Sequence, residues 1–199
     1  MTSLDIVQPV VDLGEKVLLP LDFSMTKDEK AREKAHRAMT EQIVSCLERG
    51  QDVAMVNLGD VSLYSSAGYL LDPIRRAGYS VRCIPGIASY SAAAAALGQT
   101  LAEGNSPLHI IPALDESWRE ALNLPGTKVF LKPGHQLPAV FDALDRDGRL
   151  HHASLVVNCG MEGEEIVSPF THLPDKESYF TLIIIKEQTH GNLSRSGSR

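Results

Sequence analysis

Two glycine-bearing loops carry the residue types best suited to chemistry. Leu58-Gly59-Asp60-Val61-Ser62 and Ile84-Pro85-Gly86-Ile87-Ala88-Ser89 each follow a short apolar run and each open onto a helical pattern. Glycine lets a ligand approach the backbone without meeting a side chain. A helix N-terminus adds a positive partial charge suited to a carboxylate, and Asp60 offers acceptors to hydroxyl or amino groups. Either loop alone reads equally well as a turn followed by a cap; as a pair after successive strands they point to one ligand crevice beyond the carboxyl ends of a parallel sheet. Neither contains GxxxxGK[ST] or GxGxxG, so nothing in them supports a nucleoside triphosphate or a dinucleotide.

The remaining reactive residue types point elsewhere. The 7 histidines fall in no metal-ligand spacing, and Cys46, Cys83 and Cys159 lie far apart with no CxxC pair, so neither a metal site nor a disulfide framework is expected. His151 and His152 face opposite ways in an extended backbone. His135, just after Pro133-Gly134, is the exception, placed to line a cleft. Tyr64 and Tyr90 begin helices beside the two loops, where they can pack on a planar ligand, although core packing is the commoner fate of such rings. Met161-Glu162-Gly163-Glu164-Glu165 reads as a solvated acidic hairpin turn. No Ser-His-Asp or paired-carboxylate constellation is present, so no catalytic residue is assigned.

The elements that must position these loops follow from periodicity. Lys16 to Phe23 is apolar enough for a strand, with Pro20 confining it to an edge or bulge. Ser24 or Thr26 then caps a helix from about Lys27 to Arg49, with Ala35, Met39, Ile43 and Leu47 at helical spacing, stopped at Gly50. Asp52 to Leu58 reads as a strand buried on both faces, as in a parallel sheet. A helix over Tyr64 to Ala77, a strand over Tyr79 to Ile84 and a helix over Ser91 to Leu97 continue the alternation, and a strand over His109 to Pro112 closes this half. The composition changes after Ala113, where Trp118 stands in a charged stretch. Strands over Thr127 to Lys132, Ser154 to Cys159 and Tyr179 to Lys186 then frame a helix around Gln136 to Leu144. The expected domains are therefore 1–112 and 113–187, with 188–199 a disordered tail.

Composition bounds the function. The chain has 199 residues, 43% of them hydrophobic, enough to bury a sizeable core. A formal charge of -6 and a pI near 5.6 leave no basic field for a phosphate backbone, which excludes nucleic-acid binding as the main role. No apolar run reaches a membrane-spanning length and Met1-Thr-Ser-Leu-Asp has no leader pattern, so a cytoplasmic protein is expected.

The residues also carry a resemblance. LGDVSLYSS, then VRCIPGIASYSAAAAALGQTLAEG, then LHIIPA, resemble the central block of the tetrapyrrole methylases; LPLDFSMTKD upstream and VFLKPG and NCGMEGEEIV downstream resemble further segments of the same family. The details are most similar to the members that methylate carbon 20 of precorrin-2 or cobalt-factor II in cobalamin biosynthesis. Family members usually open on an apolar strand and a GxGPGD-type loop; MTSLDIVQPVV contains neither, so the first domain is expected to be truncated relative to the family.

The resemblance implies two α/β domains, a parallel sheet in the first and a mixed sheet in the second, with S-adenosylmethionine in the cleft between them as methyl donor and a homodimer as the assembly. It implies cofactor contacts at Gly59, Asp60, Val61, Leu63, Ser65, Ala88, Ser89, Leu131, Lys132 and Gly160. Tyr64, Pro85, Gly86, His135 and Met161 are placed against the tetrapyrrole. Three alternatives remain: a non-catalytic methylase-like binding module, a relative that methylates another ring carbon, and an unrelated flavodoxin-like ligand-binding protein.

Overall fold

The computed structural model describes residues 3–23, 26 and 28–187. Ser24 as a cap, the helix start at Lys27 and the tail 188–199 lie outside the described residues. The chain forms two compact units, Met1–Ala88 and Ser89–Arg199.

The first unit begins with a short helix α1, Ser3–Val7, which buries no side chain. Helix α2 spans Glu29–Glu48. Its cap is Asp28 rather than Ser24 or Thr26: the carboxylate accepts from the Lys30 and Ala31 amides at 3.0 and 3.3 Å, while Thr26 Oγ1 accepts from the Asp28 amide at 3.2 Å. An extended cap residue with a short side-chain acceptor satisfies amides that no preceding turn can reach. Helix α3, Gly68–Arg76, begins four residues later than the apolar pattern suggested. Tyr64 has φ +49, a left-handed geometry in which a helix cannot propagate.

Met39 and Ile43 of α2 pack on Leu70 and Ile74 of α3, with Ala35 and Leu47 completing the expected stripe. Leu21, Phe23, Met55, Tyr79 and Val81 pack against this cluster from the segments read as strands. Those segments, Lys16 to Phe23, Asp52 to Leu58 and Tyr79 to Ile84, pair in no ladder among the described residues, so the expected parallel sheet of the first half is not seen there. Their apolar pattern is met on one side only: Val53, Val56, Leu58 and Ile84 stay exposed. A strand exists only where a neighbour supplies hydrogen bonds, and a local pattern cannot supply the neighbour.

The second unit opens with helix α4, Ser89–Ala96, two residues earlier than expected. Strand β1, Leu108–Pro112, precedes α5, Trp118–Ala121, a single turn inside the stretch that looked like a boundary. Strand β2, Thr127–Leu131, is followed by a 3-10 turn at Gly134–Gln136, helix α6, Leu137–Arg146, and β3, Ala153–Val157. Strands β4, Glu165–Val167, and β5, Thr181–Ile185, complete a five-stranded sheet in the order β1-β2-β5-β3-β4. Only β1 and β2 pair in parallel, so this unit has the expected mixed sheet. Strand β1, expected to close the first half, instead joins this sheet, with Ile110 opposite Val129.

Alternation along the strands builds two cores. Phe130, Leu155, Ile183 and Ile185 face a layer formed by α5 and α6, where Trp118 is fully buried and donates its indole N–H to Gln136 at 3.2 Å. Val129, Leu131, Val156, Leu182 and Ile184 face α4 through Ala93 and Ala94. The alanine run thus lets the helix approach the sheet closely, as small side chains permit. Each fully buried aliphatic or aromatic side chain here contributes about 1.5–3 kcal/mol.

Candidate functional site

The candidate residues fall into a cluster in each unit. In the first, the two glycine-bearing loops touch. Asp60 Oδ1 accepts from the Ser62 amide at 2.7 Å and from the Ser62 hydroxyl, and Oδ2 accepts from the Gly86 amide at 3.2 Å, 26 residues away. The Ser62 hydroxyl, then its amide, holds the Asp60 carboxyl below its ordinary range; slight burial opposes and the Gly86 amide adds. Asp60 is therefore a clasp between loops as well as a free acceptor, since each carboxylate oxygen takes two bonds.

Gly86 explains why the contact can be this close. A side-chain carbon built there would lie 2.3 Å from the Gly59 carbonyl oxygen and 3.6 Å from the Asp60 Cα, so only hydrogen fits. Gly59 itself has φ +79. The neighbouring candidates are set by the same turn: the Leu63 amide donates to Asp60 O at 3.3 Å, and Val61 is half-buried. Ser65 donates to Asn57 Oδ1 at 3.0 Å and accepts from the Ala67 amide at 3.2 Å, tying the end of the Asp52 to Leu58 segment to the start of α3. Tyr64 is half exposed, Pro85 is exposed and Ala88 is half-buried.

In the second unit, β1, β2 and β3 run in the same direction, so Ala113, Lys132 and Asn158 follow their carboxyl ends at one sheet edge. Leu131 is buried on the face that carries α4, whose first residue is Ser89, itself exposed. Lys132 has φ +54, donates its amide to Thr181 O at 3.1 Å and holds its ammonium 4.8 Å from the Tyr179 ring centroid. Across β5, Asn158 has φ +50, donates its amide to Phe180 O at 2.9 Å and accepts from the Ser178 hydroxyl at 2.7 Å. The turn that follows is held by the Gly160 amide on Glu164 at 2.5 Å and the Met161 amide on Asn158 O at 2.9 Å. Burial, then Glu164, raises the Cys159 thiol above its ordinary range, keeping it protonated.

The structure thus gathers Gly59, Asp60 and Gly86 in one unit, and Leu131, Lys132, Gly160 and Met161 along one edge in the other. His135 sits exposed in the turn after Lys132, its ring 3.2 Å from the Gln136 amide nitrogen. Tyr90 packs into the α4 core. Asn158, Ser178 and Tyr179 were not singled out from the sequence; an asparagine closing an apolar strand is a weak signal, and the other two are brought in by β5. Among the described residues no group of histidine, cysteine and carboxylate side chains is arranged to hold a metal, and no helix is long and apolar enough to cross a membrane.

The fold is one shared with methyltransferases. It superposes on the methyltransferase CobJ with a TM-score of 0.65 at 19% identity, covering 93% of this chain and 81% of that one. It also superposes on a uroporphyrin-III C-methyltransferase from Thermus thermophilus complexed with S-adenosyl homocysteine, with a TM-score of 0.57 at 19% identity over 79% of this chain and 74% of that one. At these identities the likeness is one of fold.

The chain belongs to the tetrapyrrole (corrin/porphyrin) methylases, whose family model matches residues 3–174. Its class of activity is methyl transfer. Its relatives include a precorrin-2 C(20)-methyltransferase from a Sinorhizobium species, 28% identical over 180 residues, 85% of this chain and 73% of the relative. A probable cobalt-precorrin-2 C(20)-methyltransferase from Methanocaldococcus jannaschii is 33% identical over 108 residues, 54% of this chain and 45% of the relative.

Proposed function

We propose that the chain transfers a methyl group from S-adenosylmethionine to carbon 20 of precorrin-2 or its cobalt-containing form in cobalamin biosynthesis. The observation that carries this reading is the clasp of the Gly59-Asp60 loop on Gly86 in a chain whose relatives include C(20)-methyltransferases.

The residues present fit the donor. A side-chain carbon at Gly160 would have nothing within 4 Å, leaving room at the second sheet edge. When bound, S-adenosylmethionine supplies an activated methyl that an electron-rich ring carbon takes with its own electron pair. Transfer of this kind needs placement and a dry pocket more than a strong base, and placement contributes roughly 7–11 kcal/mol. In this reading the donor contacts are Gly59, Asp60, Val61, Leu63, Ser65, Ala88, Ser89, Leu131, Lys132 and Gly160. Tyr64, Pro85, Gly86, His135 and Met161 line the acceptor side. Lys132 also offers a cation to an acceptor carboxylate. The active assembly in this proposal is a homodimer.

The test is calorimetric titration of S-adenosylhomocysteine into the 199-residue chain, followed by turnover with precorrin-2 and product analysis by mass and NMR. Saturable binding and a carbon-20 product bear the proposal out. Binding without turnover identifies a binding module, a product methylated elsewhere identifies a different ring specificity, and no binding by folded protein rejects the site.

A further inference from the structure

The turn after β2 holds a chain of hydrogen bonds that the methyl-transfer reading leaves unused. Trp118 of α5 is fully buried. Its indole N–H can only donate, and a buried donor left without an acceptor costs about 1–3 kcal/mol. Gln136 supplies the acceptor: its Oε1 lies 3.2 Å from the indole nitrogen, across 18 residues of sequence. The other end of the same amide, Nε2, lies 3.2 Å from His135 Nε2.

These contacts fix where each proton stands. Gln136 must present its oxygen to the indole, because its NH2 group there would set donor against donor. The amide nitrogen is thereby turned to His135, and it too can only donate. His135 Nε2 is therefore the acceptor and carries no proton, which in a neutral imidazole leaves the proton on Nδ1. Nδ1 bonds to no group among the described residues, and His135 is exposed.

The local structure commits Gln136 to this task. It is the N-cap of α6, where a side chain commonly accepts from the first-turn amides, yet it makes no such bond. Its backbone amide donates to Pro133 O at 2.8 Å, closing the 3-10 turn. Leu137 and Val140, buried in the same core as Trp118, hold the start of α6 in place. The amide thus links a buried anchor to an exposed ring on a fixed turn, directly after Lys132 at the carboxyl end of β2.

We propose that Trp118 and Gln136 are positioning residues that fix His135 as an Nδ1–H donor, and that this N–H binds a carboxylate of the methyl acceptor. The inference rests on the methyl-transfer reading, in which His135 lines the acceptor side and the acceptor is a tetrapyrrole bearing carboxylates. An N–H donated to a carboxylate makes a charge-assisted bond. A ring whose tautomer and orientation are set before binding loses less freedom when the ligand arrives, so more of that bond appears as affinity.

The full chain, isotope-labelled at the histidine nitrogens, is measured by long-range proton–nitrogen correlation NMR, which reads the protonated ring nitrogen directly. His135, assigned by its loss in His135→Leu, is expected to carry its proton on Nδ1. Gln136→Glu keeps an acceptor for Trp118 but offers His135 an acceptor in place of a donor, so the proton is expected to move to Nε2. With precorrin-2 as acceptor, His135→Leu raises KM by at least about tenfold, the size of a lost hydrogen bond to a charged group. His135→Asn, whose amide N–H stands where the Nδ1–H stood, restores most of that affinity. Gln136→Glu raises KM in the wild-type background and leaves it unmoved in His135→Asn, because Gln136 acts through the ring. A wild-type proton on Nε2, an unchanged KM in His135→Leu, or an equal rise from Gln136→Glu in both backgrounds overturns the proposal while methyl transfer stands. No methyl transfer by the wild type overturns that reading and the carboxylate role together; the tautomer, read without substrate, tells the two failures apart.

Discussion

Replacing Gly86 with alanine is the sharpest single perturbation of the loop clasp. The added carbon would sit 2.3 Å from a backbone oxygen of Gly59, well inside the 3.0 Å that real side-chain carbons respect. The obstacle is main chain and cannot rotate away, so the loops must part. Gly86 has no positive φ, so backbone strain contributes nothing and the effect is steric. Overpacking of this kind costs about 1–3 kcal/mol, which in a chain of this length lowers Tm by roughly 3–10 °C. Separating the loops also removes the Gly86 contact to Asp60, so S-adenosylhomocysteine affinity should fall by about tenfold or more. Differential scanning calorimetry and titration calorimetry read the two effects. Gly68→Ala is the control: nothing lies within 4 Å of its added carbon, and stability should hold or rise by up to about 1 kcal/mol. A Gly86→Ala protein with wild-type Tm and affinity would refute the argument that the close approach requires glycine.

Other substitutions probe separate parts of the molecule. Gly126→Ala, at φ +85 with its added carbon 2.2 Å from Pro107 O, should destabilise the second unit by about 2–4 kcal/mol through clash and left-handed strain together, seen as a lower urea midpoint. Asp28→Ala removes the α2 cap and should cost about 1 kcal/mol, measured by the same denaturation. Asp60 gives a pH signature. Its folded pKa is depressed, so the stabilisation is complete above the ordinary carboxylate range and is lost as pH falls through the lowered value. Donor affinity should therefore stay flat from neutrality through the ordinary carboxylate range and drop only below it, and Asp60→Asn should flatten that acid limb.

Local patterns in the sequence were sufficient wherever one segment settles its own structure. The α2 stripe of Ala35, Met39, Ile43 and Leu47 repeats at helical spacing, and those residues form its packed face. Strands β2, β3 and β5 are apolar runs bounded by turn residues, and all three are buried throughout. The glycines at 59 and 86 were legible because few other residues allow what those turns do. The family resemblance likewise rested on chain-local blocks such as LGDVSLYSS and IPGIAS.

Pairing was decided by the tertiary structure alone. Leu108–Pro112 has the same apolar signature whichever sheet it joins, and only its register against Thr127–Leu131 assigns it to the second unit. Asp52 to Leu58 and Tyr79 to Ile84 have strand composition and form no ladder among the described residues, because hydrogen-bond partners come from elsewhere in the chain. The Asp60 to Gly86 clasp spans 26 residues, and Asn158 meets Phe180 and Ser178 only because β3 pairs with β5. Composition and spacing fix what each segment can be; which groups meet is set by distances that exist only once the sheet has formed.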